Sequence, residues 1–284
     1  MFLVTGATGK LGRHVIEGLL KKVPAQQVIA AVRDPQKAAD LAARGVQVRL
    51  ADYSRPETLT AAFVGATRVL LISSNLVGER VPHHQAVVEA TRKAGAGLLV
   101  YTSILHAEGS RLALAAEHKA TEKLIRDSGV PFVFLRNGWY FENYTENLVP
   151  ALKHGALLGS SGEGRIAAAS RADYAAAAVE VLTGTGHENR VYELAGDTAF
   201  TLSELAAEVS RQAGQAILYK DLPPAQYQGA LEQAGLPGAY AGLLADSHHW
   251  ASRGELNDTS GDLRRLIGRP TTGLVDAVST AVAR

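Results

Sequence analysis

The sequence predicts an α/β chain: a doubly wound parallel sheet with a smaller, mainly helical C-terminal lobe. Three observations predict it. Short runs rich in Val, Leu and Ile alternate with segments of helical period up to about residue 136; a glycine-rich turn joins the first run to the first helical segment; and after Arg136 the alternation gives way to helices with few strands. Alternation of this kind buries both faces of a parallel sheet, with right-handed crossovers between strands.

The strand-like runs are residues 2–5, 27–32, 46–50, 68–73, 98–102 and 132–135, and the helical segments between them are 10–22, 35–44, 56–63, 79–94 and 113–128. In the first helical segment Val15, Ile16, Leu19 and Leu20 share one side, as an amphipathic helix requires. Pro35 and Pro56 stand at first-turn positions, where a missing N–H costs nothing, and Gly45, Gly95 and Gly129 fall just past helix ends. Beyond Arg136 come an alanine-rich stretch at 175–178, a candidate strand at 191–194 and helices near 202–213 and 259–267. The chain thus divides at 1–136 and 137–284, the second part covering the sheet's carboxyl edge and free to cross back to it. Its 284 residues suit one large domain or a domain with a smaller lobe.

Composition narrows the function classes. Lys and Arg total 29 against 28 Asp and Glu, a net charge of +1, so no broad basic field recruits nucleic acid or an anionic membrane. The chain has no cysteine, which removes disulfides, thiolate metal sites and cysteine nucleophiles. It opens on an apolar strand with no basic leader, and no apolar run of about 18 residues follows, so a cytoplasmic location with no membrane span is expected.

The strand at 2–5 runs into Gly6-Ala7-Thr8-Gly9-Lys10-Leu11-Gly12, and a helix follows. Glycine permits the tight turn and lets backbone N–H groups approach a pyrophosphate, while the helix N-terminus adds unpaired donors and a positive dipole end. Residues 1–136 are therefore expected to be a Rossmann-type dinucleotide-binding domain. At the end of the second strand, where an NAD enzyme places a carboxylate, the first polar residue is Arg33. A permanently charged guanidinium suits a 2′-phosphate, so the expected cofactor is NADP(H), with Lys10 assisting. The alternative is that Asp34 takes the ribose. Asp52 after the third strand, Ser73, Ser74 and Asn75 after the fourth, and Thr102 and Ser103 after the fifth face the same crevice and are candidate cofactor contacts. For each of these, a local Asx or Ser turn is the competing reading.

Short-chain dehydrogenases carry Tyr-x-x-x-Lys on the helix after strand five, the tyrosine as proton donor and the lysine lowering its pKa. None of the nine tyrosines here is followed by lysine four residues on; with His118 in the lysine's place, Leu114 stands in the tyrosine's. Ketone reduction, whose alkoxide needs a fixed acid, loses support. A conjugated acceptor that spreads the incoming electron pair needs less help. His118 is a candidate nicotinamide-ribose or substrate contact, or else a partly buried histidine with one hydrogen bond.

GATGKLG at 6–12, AVRDP at 31–35, LLISS at 70–74, YTS at 101–103, EHKATEKLI at 117–125, LRNGWYFENY at 135–144, RADYAAAA at 171–178 and YELAGD at 192–197 carry a resemblance over nearly the whole chain. The sequence resembles the atypical short-chain dehydrogenases related to NmrA, and within them the branch of NADPH-dependent quinone oxidoreductase type 2 and triphenylmethane reductase. The resemblance implies hydride transfer from NADPH to a quinone or similar flat acceptor, without flavin or metal. It also implies that Asn137, Gly138, Trp139, Tyr140, Phe141, Asn143 and Tyr144 line the nicotinamide and substrate pocket, with Tyr140 and Asn143 catalytic beside His118. Arg171 joins the substrate contacts, and Asp173 caps or pairs. Aromatic rings give a planar acceptor a stacking wall, and amides can donate to an oxygen as it gains charge; a structural aromatic cluster between two lobes is the alternative. A dinucleotide-binding redox sensor without turnover, and an isomerase or epimerase of the extended short-chain type, stay open as functions. The oligomeric state stays open too, a homodimer being one option.

Overall fold

The computed structural model describes residues 1–146 and 148–283. The strands are β1 (Phe2–Thr5), β2 (Val28–Val32), β3 (Gln47–Leu50), β4 (Arg68–Leu71), β5 (Leu98–Ile104), β6 (Phe132–Asn137), β7 (Ala156–Gly159), β8 (Arg190–Leu194) and β9 (Leu218–Asp221). The helices are α1 (Lys10–Leu20), α2 (Ala39–Ala43), α3 (Pro56–Ala62), α4 (Arg80–Lys93), α5 (Ala115–Asp127), α6 (Glu142–Thr145), α7 (Leu148–His154), α8 (Arg171–Thr183), α9 (Leu202–Ala213), α10 (Pro224–Gln233), α11 (Gly238–Ala251), α12 (Asp262–Ile267) and α13 (Leu274–Val282). All six expected strands and the sheet-flanking helices form. The helical segment at 35–44 splits into a 3₁₀ turn (Pro35–Ala38) and the short α2.

Seven parallel strands form the main sheet in the order β3-β2-β1-β4-β5-β6-β8. The order reverses between β1 and β4, so their carboxyl ends open the crevice in which open α/β sheets bind ligands. Val4, Ala30, Leu70, Val100 and Leu135 pack on one face against Val15, Ile16 and Leu19 of α1 and the alanines of α8. On the other face Leu3, Ile29, Val69, Leu99, Tyr101 and Phe134 pack against Leu59, Phe63, Val87 and Ile125.

The chain does cross back to the sheet after residue 136. Helix α8 lies along α1, its small side chains permitting close approach, and β8 pairs with β6 in register Leu135↔Tyr192. Buried Asp173 anchors this return: its carboxylate accepts the Thr272 N–H at 2.8 Å and faces Arg269 at 2.7 Å. The remaining second-lobe residues gather around Phe141, Tyr144, Phe200, Leu205 and Val278, and β7 and β9 make a separate parallel pair.

Candidate active site

The glycine loop is built as the sequence implies. Gly6 has φ +58°, a left-handed conformation that a side chain disfavours. At Gly12 an added Cβ would lie 2.3 Å from the Gly6 carbonyl oxygen, so only glycine lets α1 start against the turn. Gly9 is the N-cap without a side-chain cap, and no acidic residue occupies the first turn of α1. Among the described residues the N–H groups of Lys10, Leu11 and Gly12 have no acceptor. Exposed Gly6 and Gly9, with half-buried Thr8, leave this helix end open to an anion. The residues fit a dinucleotide's diphosphate.

The strand ends divide between cofactor-facing and scaffold roles. Arg33 is exposed, whereas Asp34 caps the next turn by accepting the Gln36 N–H at 3.0 Å. The carboxylate that could have served a ribose is thus engaged locally. Asp52 makes an Asx turn, accepting from Ser54 N–H at 3.0 Å and Ser54 Oγ at 2.8 Å, and these bonds hold its pKa below the usual carboxylate range. Ser73 and Ser74 face the crevice largely through backbone: Ser73 N–H donates to Thr102 Oγ1 at 2.9 Å, and Ser74 N–H donates to His84 Nε2 at 2.9 Å. Asn75 is exposed in the same turn.

Two expected contacts also have partners within the protein. Ser103 Oγ donates to the buried Glu122 carboxylate at 2.6 Å, and Glu122 accepts two bonds from Arg136 at 2.9 and 2.7 Å. Strand alternation explains this, because Tyr101 and Ser103 share the face that packs on α5. His118, on that helix, sets Nδ1 2.7 Å from the Tyr101 hydroxyl and is 6 % exposed. Burial, aided by the Arg80 charge, holds its pKa well below the usual value, so the ring is neutral. Its Nε2 has no partner among the described residues.

The aromatic segment after β6 is only partly an open wall. Gly138 N–H donates to the Leu194 carbonyl at 2.8 Å, fixing the segment to β8, and the buried Asn137 Oδ1 has no partner. Trp139 and Tyr140 are half-buried; Tyr140 meets Tyr174 edge-on at 5.2 Å and carries the Arg171 guanidinium 5.2 Å over its ring. Phe141 instead stacks on Phe200 at 5.3 Å, and Tyr144 meets Phe200 edge-on at 6.0 Å, both within the second-lobe core. Asn143 is exposed at the start of α6.

The structure adds residues that sequence reasoning missed. Glu146 pairs with Lys10 of the glycine loop and with Arg171 Nη1 at 2.6 Å, while Glu142 accepts the Arg171 N–H at 2.9 Å. The only sequence signal was two carboxylates four residues apart, Glu142 within the aromatic segment and Glu146 just after it. A second missed group, Tyr227 and His248, borders Tyr144. Among the described residues no cluster of three or more potential metal ligands occurs, and no helix is long and apolar enough to cross a membrane.

Residues 6–185 match the family model described as NAD(P)H-binding. The chain is 52% identical to quinone oxidoreductase 2 of Escherichia coli over 98% of both chains. Its fold superposes on the NADPH complex of an NADPH-dependent quinone oxidoreductase from Escherichia coli with a TM-score of 0.96, at 51% identity over 99% of each chain. It superposes on Citrobacter sp. triphenylmethane reductase with NADP(H) with a TM-score of 0.95, at 39% identity over 99% of this chain and 100% of that one. The glycine loop, the crevice and these likenesses agree that the chain belongs to the NAD(P)H-binding, NmrA-like family.

Proposed function

We propose that this chain is an NADPH-dependent reductase that delivers hydride directly to a quinone or similar conjugated acceptor. The near-full-length identity of 52% to a quinone oxidoreductase carries the reading. Residues 1–136, with the returning segment 171–194, hold the cofactor, and the rest of 137–284 builds the acceptor pocket. The α1 N-terminus takes the diphosphate and the exposed Arg33 the 2′-phosphate, while Asp34 accepts one bond in its own cap. Bound there, NADPH supplies the hydride.

The protein's own residues bind and orient. Asn137 offers an unpartnered buried amide oxygen near the nicotinamide end of the crevice, and His118 offers Nε2 as a neutral ring. Tyr140, backed by Arg171, presents a flat face to the acceptor, and the exposed Asn143 amide donates to an oxygen as it gains charge. Leu114, where a fixed acid would stand, packs in the second-lobe core. The acceptor must therefore disperse its own charge, as a quinone or a cationic dye does.

The test mixes purified protein with NADPH and 1,4-benzoquinone, 1,4-naphthoquinone or a triphenylmethane dye and follows absorbance at 340 nm. Acceptor-dependent NADPH oxidation is expected. Tight NADPH binding without oxidation by any acceptor would instead favour a sensor. Asn143→Ala is expected to lower turnover while leaving NADPH affinity unchanged; a loss of folding would return Asn143 to a structural role.

A further inference from the structure

A polar cluster lies inside the otherwise apolar second lobe, against the wall that carries Phe141 and Tyr144. His248 on α11 accepts the Ser160 N–H on Nδ1 at 3.1 Å. An amide N–H can only donate, so Nδ1 carries no proton and the neutral ring bears it on Nε2. Burial keeps the ring neutral, with its pKa pushed down to about 4. Nε2–H therefore donates to the Tyr227 oxygen, 3.4 Å away, and the Tyr227 hydroxyl proton has no recipient among the described residues.

Tyr144 repeats the pattern. Its hydroxyl is buried with no hydrogen-bond partner, and its ring lies 6.3 Å from His248, on which Tyr227 also packs at 4.6 Å. Ser161 Oγ is likewise buried and unpaired, while its N–H donates to Tyr219 at 3.1 Å. Leaving a buried hydroxyl unpaired is costly, and a fold tolerates it where a ligand completes the bond. Tyr144, Tyr227 and His248 are nearly but not fully enclosed, at 8, 7 and 5 % exposure. Two phenol donors flanking one imidazole match an acceptor oxygen, not a cation or a hydrocarbon.

We infer that Tyr227 and Tyr144 form a subsite that hydrogen-bonds the carbonyl oxygen of the acceptor farthest from the cofactor, with His248 as the positioning residue that turns the Tyr227 proton toward it. The inference rests on the reductase reading and narrows it to acceptors with oxygens at two ends, such as para-quinones. A triphenylmethane dye, which has no carbonyl, gains nothing from the subsite.

The test compares 1,4-naphthoquinone with such a dye at saturating NADPH. In Tyr227→Phe and Tyr144→Phe the quinone KM is expected to rise about five- to tenfold, the loss of one hydrogen bond. The dye's KM, or its inhibition constant if it binds without turnover, and NADPH affinity stay unchanged. His248→Leu is expected to raise the quinone KM similarly, and His248→Gln, which restores a donor at Nε2, to recover part of the loss. Equal shifts for quinone and dye, or an unaltered quinone KM in Tyr227→Phe and Tyr144→Phe, would overturn the inference. A wild-type protein inert toward every acceptor would sink the reductase reading itself and the subsite with it.

Discussion

Lys10 and Glu146 form an ion pair that ties the phosphate-binding loop to the segment following the aromatic wall. Glu146 also holds Arg171, so one carboxylate draws two cations together beside an open helix N-terminus. Such a partly exposed pair stabilises the fold by about 0–1 kcal/mol, but it sets a negative charge where a dinucleotide brings its own. Glu146→Gln should tighten NADPH binding about two- to fivefold by freeing Lys10. Titration calorimetry at low and high salt checks this; unchanged affinity would mean that Lys10 never meets the cofactor.

Arg33 is exposed, and Asp34 is committed to its cap. Arg33→Ala should weaken NADPH about 10- to 100-fold, the worth of charge-assisted bonds to a phosphate, and NADH by less than about threefold. Equal losses for both cofactors, measured by fluorescence titration, would remove Arg33 from the 2′-phosphate.

Glu122 and Arg136 are 5 and 7 % exposed and joined by two hydrogen bonds, with Glu193 on the far side of the guanidinium at 2.8 Å. Burial alone would lower the Arg136 pKa, and the two carboxylates outweigh it and raise it. Glu122→Ala leaves the buried guanidinium with Glu193 as its one remaining carboxylate and should cost about 3–5 kcal/mol in urea unfolding. It would also release Ser103 at the crevice. A loss below about 1 kcal/mol would show that water or Glu193 compensates.

The sheet was legible because its signals are local: apolar runs, helical period and a glycine turn each occupy consecutive residues. β7 and β9 were not, since these four-residue strands bury little, β9 being mostly exposed, and each finds its partner 62 residues away, Ala156 pairing with Leu218. Helix α11 was hidden by its glycines, Gly238 and Gly242, which weaken the helical pattern. In the site, the glycine turn of Gly6 and Gly12 was readable for the same local reason. The partners of Ser103 and His118 were open to the same kind of reading: positions 101 and 103 share a strand face, and 118 and 122 share a helix face, so the two pairs meet. Glu146, Tyr227 and His248 enter through tertiary packing alone.

Three buried histidines set the response to acid. His84 accepts the Ser74 N–H and faces Thr121 at 2.9 Å, His118 faces Tyr101, and His248 accepts the Ser160 N–H. Burial holds all three neutral, His84 down to about 3 and His248 to about 4. The folded pKa lies below the unfolded value of about 6.5 in each case, so the unfolded chain takes up protons that the folded chain refuses. The stabilisation is therefore fully present above pH 6.5 and is lost as pH falls toward the folded values. Each histidine that stays neutral should remove about 1.4 kcal/mol per pH unit below 6.5. Urea unfolding at pH 7, 6 and 5 should show stability falling ever more steeply, and His84→Gln should flatten the slope by one histidine's share. A pH-independent stability over that range would mean that these rings take up protons in the folded state.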